Sequence, residues 1–264
     1  MTKTILITGS TDGIGLLTAS MLAQKGHKVL LHGRGAAKLE AAAAKIGGTT
    51  ESYVADLSRM AEVETLAAEV LNNHPQLDVL INNAGVYKTP QTRTAEGHDI
   101  RFVVNTFAPY LLTRRLLPII PRTGRVVNVS SAAQARVDLE AMAGKTPLDD
   151  FSAYAQSKLA ITVWSRELAR EPGEGPAVIA VNPGSLLASK MVKEGFGVQG
   201  NDLGIGAEIL CKAALDPAFA DASGKYFDND AGRFCQPHSG AAESGQARAI
   251  VQSIEQIIPA LTGS

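Results

Sequence analysis

Tyr154 and Lys158 stand four residues apart in Tyr154-Ala155-Gln156-Ser157-Lys158, so on a helix their side chains leave the same face. That spacing suits proton transfer. A free phenol titrates near a pKa of about 10, too high for efficient proton exchange near neutrality, and a nearby ammonium stabilises the phenolate and lowers that value. Tyr154 is the candidate general acid for reducing a carbonyl and general base for oxidising an alcohol, with Lys158 tuning it. Arg125-Val126-Val127-Asn128-Val129-Ser130-Ser131 is a buried strand ending in two hydroxyls, at the sheet edge where open α/β sheets bind ligands. Either serine can donate a hydrogen bond to an oxygen on which charge develops. Taken alone, a Tyr-x-x-x-Lys pair reads as an ordinary surface pair on a helix, so the surrounding elements must decide.

The second chemical feature opens the chain. Thr8-Gly9-Ser10-Thr11-Asp12-Gly13-Ile14-Gly15 follows a first apolar strand and runs directly into an apolar helical stretch. In that setting Gly9 permits the tight turn, Gly13 lets the backbone approach a pyrophosphate, and Gly15 lets helix and strand pack closely. The phosphates then rest on unpaired amides, Ile14 among them, at the positive end of the helix. Ser10 and Thr11 add hydroxyl donors. The second strand ends in Leu30-Leu31-His32-Gly33-Arg34, with glycine where an acidic residue would accept a hydrogen bond from the ribose 2′-hydroxyl of NAD. Arg34 follows with a permanently charged guanidinium suited to a 2′-phosphate, although Asp12 weakens the positive field there. The cofactor expected from these residues is NADP(H).

Both features need a scaffold that gathers strand ends. Short aliphatic runs at 4–8, 28–32, 52–55, 79–82, 125–130 and 177–182 read as buried strands, and stretches at 16–25, 38–46, 62–72 and 157–170 read as helices. This alternation predicts an α/β fold, a doubly wound (Rossmann) parallel sheet with helices on both faces. A seventh strand is expected at 225–227 and a last amphipathic helix at 246–261. With 45% apolar residues and no internal repeat or long linker, one domain over 1–264 accommodates the whole chain. The formal charge of −1 arises without a basic cluster, which argues against nucleic acid or an anionic membrane as partner. No apolar run is long enough to span a membrane, and the start carries no secretory signal pattern. Cys211 and Cys235 are too few for a disulfide framework, so a reducing, cytoplasmic setting is expected. The five histidines, His27, His32, His74, His98 and His238, show no ligand spacing; no metal is expected, and each reads as a surface or loop residue. Trp164 reads as helix packing.

The glycine spacing T-G-x-x-x-G-x-G resembles that of the short-chain dehydrogenase/reductase family, and further positions follow in the family's order. These are Asp56-Leu57, Asn82-Asn83-Ala84-Gly85, Asn105, Ser131, the Tyr154/Lys158 pair and Pro183-Gly184, so the resemblance covers about residues 3 to 230. It implies a seven-stranded parallel sheet in the order 3-2-1-4-5-6-7, with Asp56 and Leu57 near the adenine and Asn83, Ala84 and Gly85 bordering the adenosine ribose. Pro183 and Gly184 would bound the nicotinamide, and Lys158 would also hold the nicotinamide ribose. Ser131 rather than Ser130 would meet the substrate oxygen, and Asn105 would extend a proton relay from the lysine through a water. Two departures stand out. The stretch from Ser131 to Tyr154 is longer than in compact members and resembles the retinol-dehydrogenase-like branch. Its inserted loop, 132–150, is expected to bring Val137, Leu139, Met142 and Leu148, with Phe151 just beyond, to a substrate pocket. The threonine that commonly follows Pro-Gly is missing, and Ser189 stands one position away as its substitute at the carboxamide.

The function so implied is an NADP(H)-dependent oxidoreductase moving a hydride between nicotinamide C4 and a small-molecule carbonyl or alcohol, bulky and apolar in character. Residues 186–202, containing Gly195, Gly197 and Gly200, are expected to form a substrate lid. Family members assemble as homodimers or homotetramers through the helices expected at 97–117 and 151–170, while long-loop members include monomers. One rival reading is a catalytically inactive NADP-binding sensor or scaffold, against which the intact Asn105, Ser131, Tyr154 and Lys158 speak. Another is a sugar-nucleotide epimerase or dehydratase, which carries a different glycine spacing and a longer C-terminal substrate domain.

Overall fold

Ile5 and Ile7 face one side of the first strand and Leu6 faces the other, and all three are fully buried. Both faces of the sheet are therefore covered, as parallel strands require. The structure, a computed structural model, describes residues 1–171, 175–188, 200–238 and 244–263. Seven strands run parallel: β1 (Thr4–Ile7), β2 (Lys28–Gly33), β3 (Thr50–Val54), β4 (Val79–Asn82), β5 (Arg125–Val129), β6 (Ala177–Asn182) and β7 (Tyr226–Asp228). Their order, β3-β2-β1-β4-β5-β6-β7, is the expected one. An eighth strand, β8 (Arg233–Cys235), extends the sheet as an antiparallel hairpin on β7. The rings of Phe219, Phe227 and Phe234, with centroids 5.1 to 5.3 Å apart, hold that hairpin, which shields the edge of β7 from other strands.

On one face α1 (Gly13–Gln24) and α2 (Ala36–Ile46) pack with the later α8 (Leu203–Leu215), burying Leu22, Leu39 and Leu210. The other face carries α3 (Met60–Asn73), α5 (Ala108–Leu116), α7 (Asp150–Leu168) and α9 (Ser244–Thr262), which bury Leu66, Leu112, Trp164 and Ile254. Short α4 (Ile100–Phe102) leads through a π-helical turn, Val103–Phe107, into α5. The inserted loop contributes α6 (Leu139–Met142).

Helix α7 starts earlier than its apolar periodicity suggests. Asp149 caps it by accepting from the Ser152 N–H at 2.9 Å, and Asp150 in its first turn pairs with Arg101, which is 1% exposed and held bidentately by Asp99. Along its far flank α7 is covered by α9. Tyr110 of α5 packs edge-on against Trp164 of α7 at 5.5 Å and donates to Glu255 of α9 at 2.7 Å. The helices through which assembly was expected are thus already packed, in part, against the chain's own last helix.

Candidate active site

Ser131 sits at the turn just past β5. Its hydroxyl accepts from the Ala133 N–H at 3.1 Å, while its carbonyl oxygen accepts from Tyr226 Oη at 3.1 Å and Gln134 Nε2 at 3.0 Å. Ser130 points inward instead, donating to the Lys158 carbonyl at 2.9 Å and meeting Thr162 Oγ1 at 2.7 Å, so its hydroxyl secures β5 to α7. Tyr154 and Lys158 leave the same face of α7. Burial pushes the phenol's pKa up, the Ser131 hydroxyl works against that, and the nearby Tyr87 adds to the rise. Lys158 is 3% exposed; its ammonium donates to the Val129 carbonyl at 2.8 Å, lies 5.7 Å from the Tyr154 ring centre, and is pulled down to a pKa of about 8 by desolvation.

Asn105 falls within the π-helical turn, a distortion common at functional sites. Its side chain accepts from the Val86 N–H at 2.8 Å and donates to the Val86 carbonyl and Ser157 Oγ, both at 3.0 Å. It therefore ties the chain beyond β4 to the catalytic helix. Tyr87, edge-on to Tyr154 with ring centres 5.2 Å apart, was missed in the sequence, where a single aromatic after Asn-Asn-Ala-Gly carries little signal.

The glycine loop is held by close backbone packing. Gly9 has φ +66°, and a Cβ there would come within 2.9 Å of Ala84 Cα; a Cβ on Gly15 would lie 2.3 Å from the Gly9 oxygen. Asn83 Nδ2 donates to the Thr8 and Gly9 carbonyls, and Thr8 Oγ1 accepts from the Asn83 and Ala84 amides. Asp12 caps α1 through the Gly13 N–H at 2.7 Å. The amides of Ile14 and Gly15, next in that first turn, have no acceptor within the helix, and both residues line the cleft. Ser10 departs from expectation: it is fully buried, and its hydroxyl accepts from the His32 N–H at 2.9 Å, so it is spent on the strand rather than offered to a phosphate. Asp56 accepts from the Ser58 N–H at 2.9 Å and, with the mostly buried Leu57, lines the cleft beside Arg34.

One cleft of about 660 Å³ joins these parts. It runs from Arg34 and Lys38 past Gly9 to Gly15 and Asn83 to Gly85, and ends among Ser131, Tyr154, Lys158 and Pro183 to Leu187. A glycine-lined helix start, cationic side chains at one end and a Ser-Tyr-Lys cluster at the other fit an elongated dinucleotide with its reactive ring at the cluster. The family described as short chain dehydrogenase matches residues 3–196. The chain belongs to that family. It is an oxidoreductase acting on CH–OH and C=O groups with a nicotinamide dinucleotide as hydride carrier.

Human retinol dehydrogenase 13 is 32% identical over 253 residues, covering 86% of this chain and 76% of that one. Among solved structures, an uncharacterised protein from Mycobacterium paratuberculosis superimposes with a TM-score of 0.81 at 30% identity, covering 97% of this chain and 93% of the other. A short chain dehydrogenase from Shigella flexneri 2a strain 301, complexed with NADP, gives 0.69 at 26% identity over 86% of this chain and 97% of its own.

Relative to this family pattern, Pro183 and Gly184 line the cleft, and the turn after them is fixed by Asp230. That carboxylate accepts from the Ser185 N–H at 2.9 Å, the Ser185 hydroxyl at 2.5 Å and Asn182 Nδ2 at 2.9 Å. Ser189 lies outside the described residues, as does most of the segment 186–202 expected to be a lid. In the long loop, Val137 and Met142 are buried in the core and Leu139 and Leu148 pack against it; of the five residues expected at the pocket only Phe151, 51% exposed, lines the cleft. Apolar residues in such a loop serve a core as readily as a pocket, and here α4, the π turn and α9 supply the core. The expectation for the histidines also changes, because His32 and His74 are buried. Among the described residues no group of three or more His, Cys, Asp and Glu is placed to hold a metal, and no helix is long and apolar enough to cross a membrane.

Proposed function

We propose that this oxidoreductase prefers NADP(H) and interconverts a bulky, apolar carbonyl and its alcohol, with Tyr154 as the proton-transferring group. The observation that carries this reading is the single cleft linking Arg34 and Lys38 to the Ser131-Tyr154-Lys158 cluster. Arg34, Lys38 and Thr11 line the cleft at Gly33, which carries no acidic side chain of its own, and their charges and hydroxyl face the two carboxylates, Asp12 and Asp56, that line the same cleft. The NADP bound by the Shigella relative supports the same choice. When bound, the nicotinamide supplies or takes up the hydride. Tyr154 gives its proton to the carbonyl oxygen in reduction and recovers one in oxidation. Ser131 holds that oxygen by a hydrogen bond, from a turn fixed by Tyr226 and Gln134. Lys158 places a positive charge beneath the phenol and favours its ionised form. Asn105 fixes the wall of the site through Val86.

The substrate end of the cleft is walled by Val86, Tyr87, Ile100, Val104, Phe151 and Leu186, which favours an apolar substrate over a polyol. The resemblance to retinol dehydrogenase 13 supports that class. The cover that α9 places over α7 supports a monomer rather than a dimer built through these helices. The test is kcat/KM for NADPH and NADH across a panel of apolar ketones and aldehydes, with Arg34→Ala and Lys38→Ala alongside. NADPH should be preferred, and Arg34→Ala should weaken NADPH by roughly 1.5 to 3 kcal/mol while sparing NADH. Dinucleotide binding without turnover on any carbonyl would favour a sensor, and equal loss of both cofactors would remove Arg34 from the 2′-phosphate.

A further inference from the structure

The ring of His32 spends both of its nitrogens on the two loops that frame the dinucleotide end of the cleft. Nε2 lies 3.1 Å from the Ala55 carbonyl oxygen, which can only accept, so Nε2 carries the proton. Nδ1 then has a free lone pair, and it accepts from the Gly9 N–H at 3.1 Å. The backbone of the same residue closes the arrangement: its N–H donates to Ser10 Oγ at 2.9 Å, and its carbonyl accepts from the Ser10 N–H at 3.0 Å. Gly9 is the turn with φ +66° that opens the phosphate loop, and Ala55 immediately precedes Asp56 and Leu57.

We propose that His32 is a positioning residue for dinucleotide binding, clamping the Gly9 turn to the Ala55 loop through one fixed tautomer of its ring. The proposal rests on the dinucleotide reading of the cleft and adds to it a residue that acts through the backbone of Gly9 and Ala55. His32 is 2% exposed and lies beneath the loop, so without it the Gly9 N–H loses its acceptor in a dry setting, where an unmade hydrogen bond costs more than a made one gains. The loop would then satisfy that amide by shifting, and the amides at the start of α1 would shift with it. A charged ring would set N–H against N–H at Gly9, and burial holds the ring neutral, with a pKa pulled down to about 4. The signal in the sequence was hidden because the partners stand 23 residues away on either side of His32.

Two near-isosteric variants divide the clamp. Asn places an acceptor near the Nδ1 position and keeps the Gly9 contact, whereas Gln reaches the Nε2 position and keeps only the Ala55 contact; His32→Leu keeps bulk and loses both. The measurements are Kd for NADPH and NADH by fluorescence titration, kcat at saturating cofactor, and amide exchange at Gly9 by NMR. His32→Asn should bind both cofactors within about threefold of the wild type and keep the Gly9 amide protected. His32→Gln and His32→Leu should raise Kd for both cofactors about tenfold, a change of about 1.4 kcal/mol, with kcat within about twofold and Gly9 exposed to exchange. Equal loss across the three variants, or loss of kcat together with affinity, would reduce His32 to a packing residue and overturn the proposal. Wild-type protein that bound neither NADPH nor NADH would instead sink the underlying reading of the cleft.

Discussion

The Lys158 ammonium donates to the carbonyl oxygen of Val129 at 2.8 Å, a contact that anchors the charge at the end of β5 beneath Tyr154. Because burial pulls this base down to a pKa of about 8, it is charged below that pH and loses its charge above it. Support for the Tyr154 phenolate should fade as pH rises through 8. The value of kcat/KM for the dinucleotide, which reports free-enzyme groups, should therefore decline above pH 8. Lys158→Arg, whose guanidinium stays charged, should retain reduced activity with that decline moved to higher pH. A wild-type profile flat to pH 10 would contradict the assignment.

Tyr154→Phe removes the proton and leaves the ring. Turnover should fall by at least ~10²-fold while NADPH affinity changes little. Cofactor titration beside single-turnover reduction separates the two quantities, and near-normal turnover would exclude Tyr154 as the acid.

Replacing Gly33 by aspartate is the obvious route toward NADH, but a Cβ there would meet Thr11 Cγ2 at 2.6 Å. The single variant should lose activity with both cofactors. Combined with Thr11→Ala, which removes that methyl, Gly33→Asp should raise the ratio of kcat/KM for NADH over NADPH above that of either single variant. An unchanged ratio in the double variant would place 2′-phosphate selection elsewhere.

His32 also couples stability to pH. Its folded pKa of about 4 lies below the ordinary 6.5, so on acidification the unfolded chain takes up a proton first. Stability from this group is whole above 6.5, declines between 6.5 and 4, and is fully lost below 4, on the order of 3 kcal/mol in all. Urea unfolding at pH 7 and pH 5 should show the wild type losing roughly 2 kcal/mol more than His32→Asn. Parallel losses would rule out a neutral buried ring.

Ile254, fully buried on α9, packs in the core that also holds Trp164 of α7. Ile254→Ala should cost about 2 to 5 kcal/mol by cavity formation. Chemical unfolding followed by Trp164 fluorescence would measure it, and a loss under 1 kcal/mol would mean α9 is only loosely seated.

Strands β4 and β6 occupy the residues that their aliphatic runs mark, and the Ser131, Tyr154 and Lys158 cluster was readable because each residue sits at a fixed place on a strand end or helix face. Other features depend on what lies opposite. Ser10 was read as a phosphate donor because nothing local reveals that the His32 amide would claim its hydroxyl. The start of α7, placed at 157 by periodicity and at 151 in the expected assembly helix, is fixed by Asp149-Asp150-Phe151-Ser152, a capping pattern that periodicity alone passes over. Three residues of β8 offer no period at all; the hairpin exists because Phe234 finds Phe219 and Phe227.

Helix α9 also sets an order in time. Tyr154 and Lys158 leave the ribosome on the order of 80 residues ahead of the segment that covers their helix, an interval of roughly 4 to 16 s at ordinary elongation rates. Throughout that interval the strip around Trp164 lacks its cover, and a nascent chain halted before residue 244 should be cut by protease within α7 where the full-length protein resists. Competence for chemistry thus waits on the synthesis of α9, and a premature stop within 244–262 would act on the enzyme's first requirement, a settled catalytic helix.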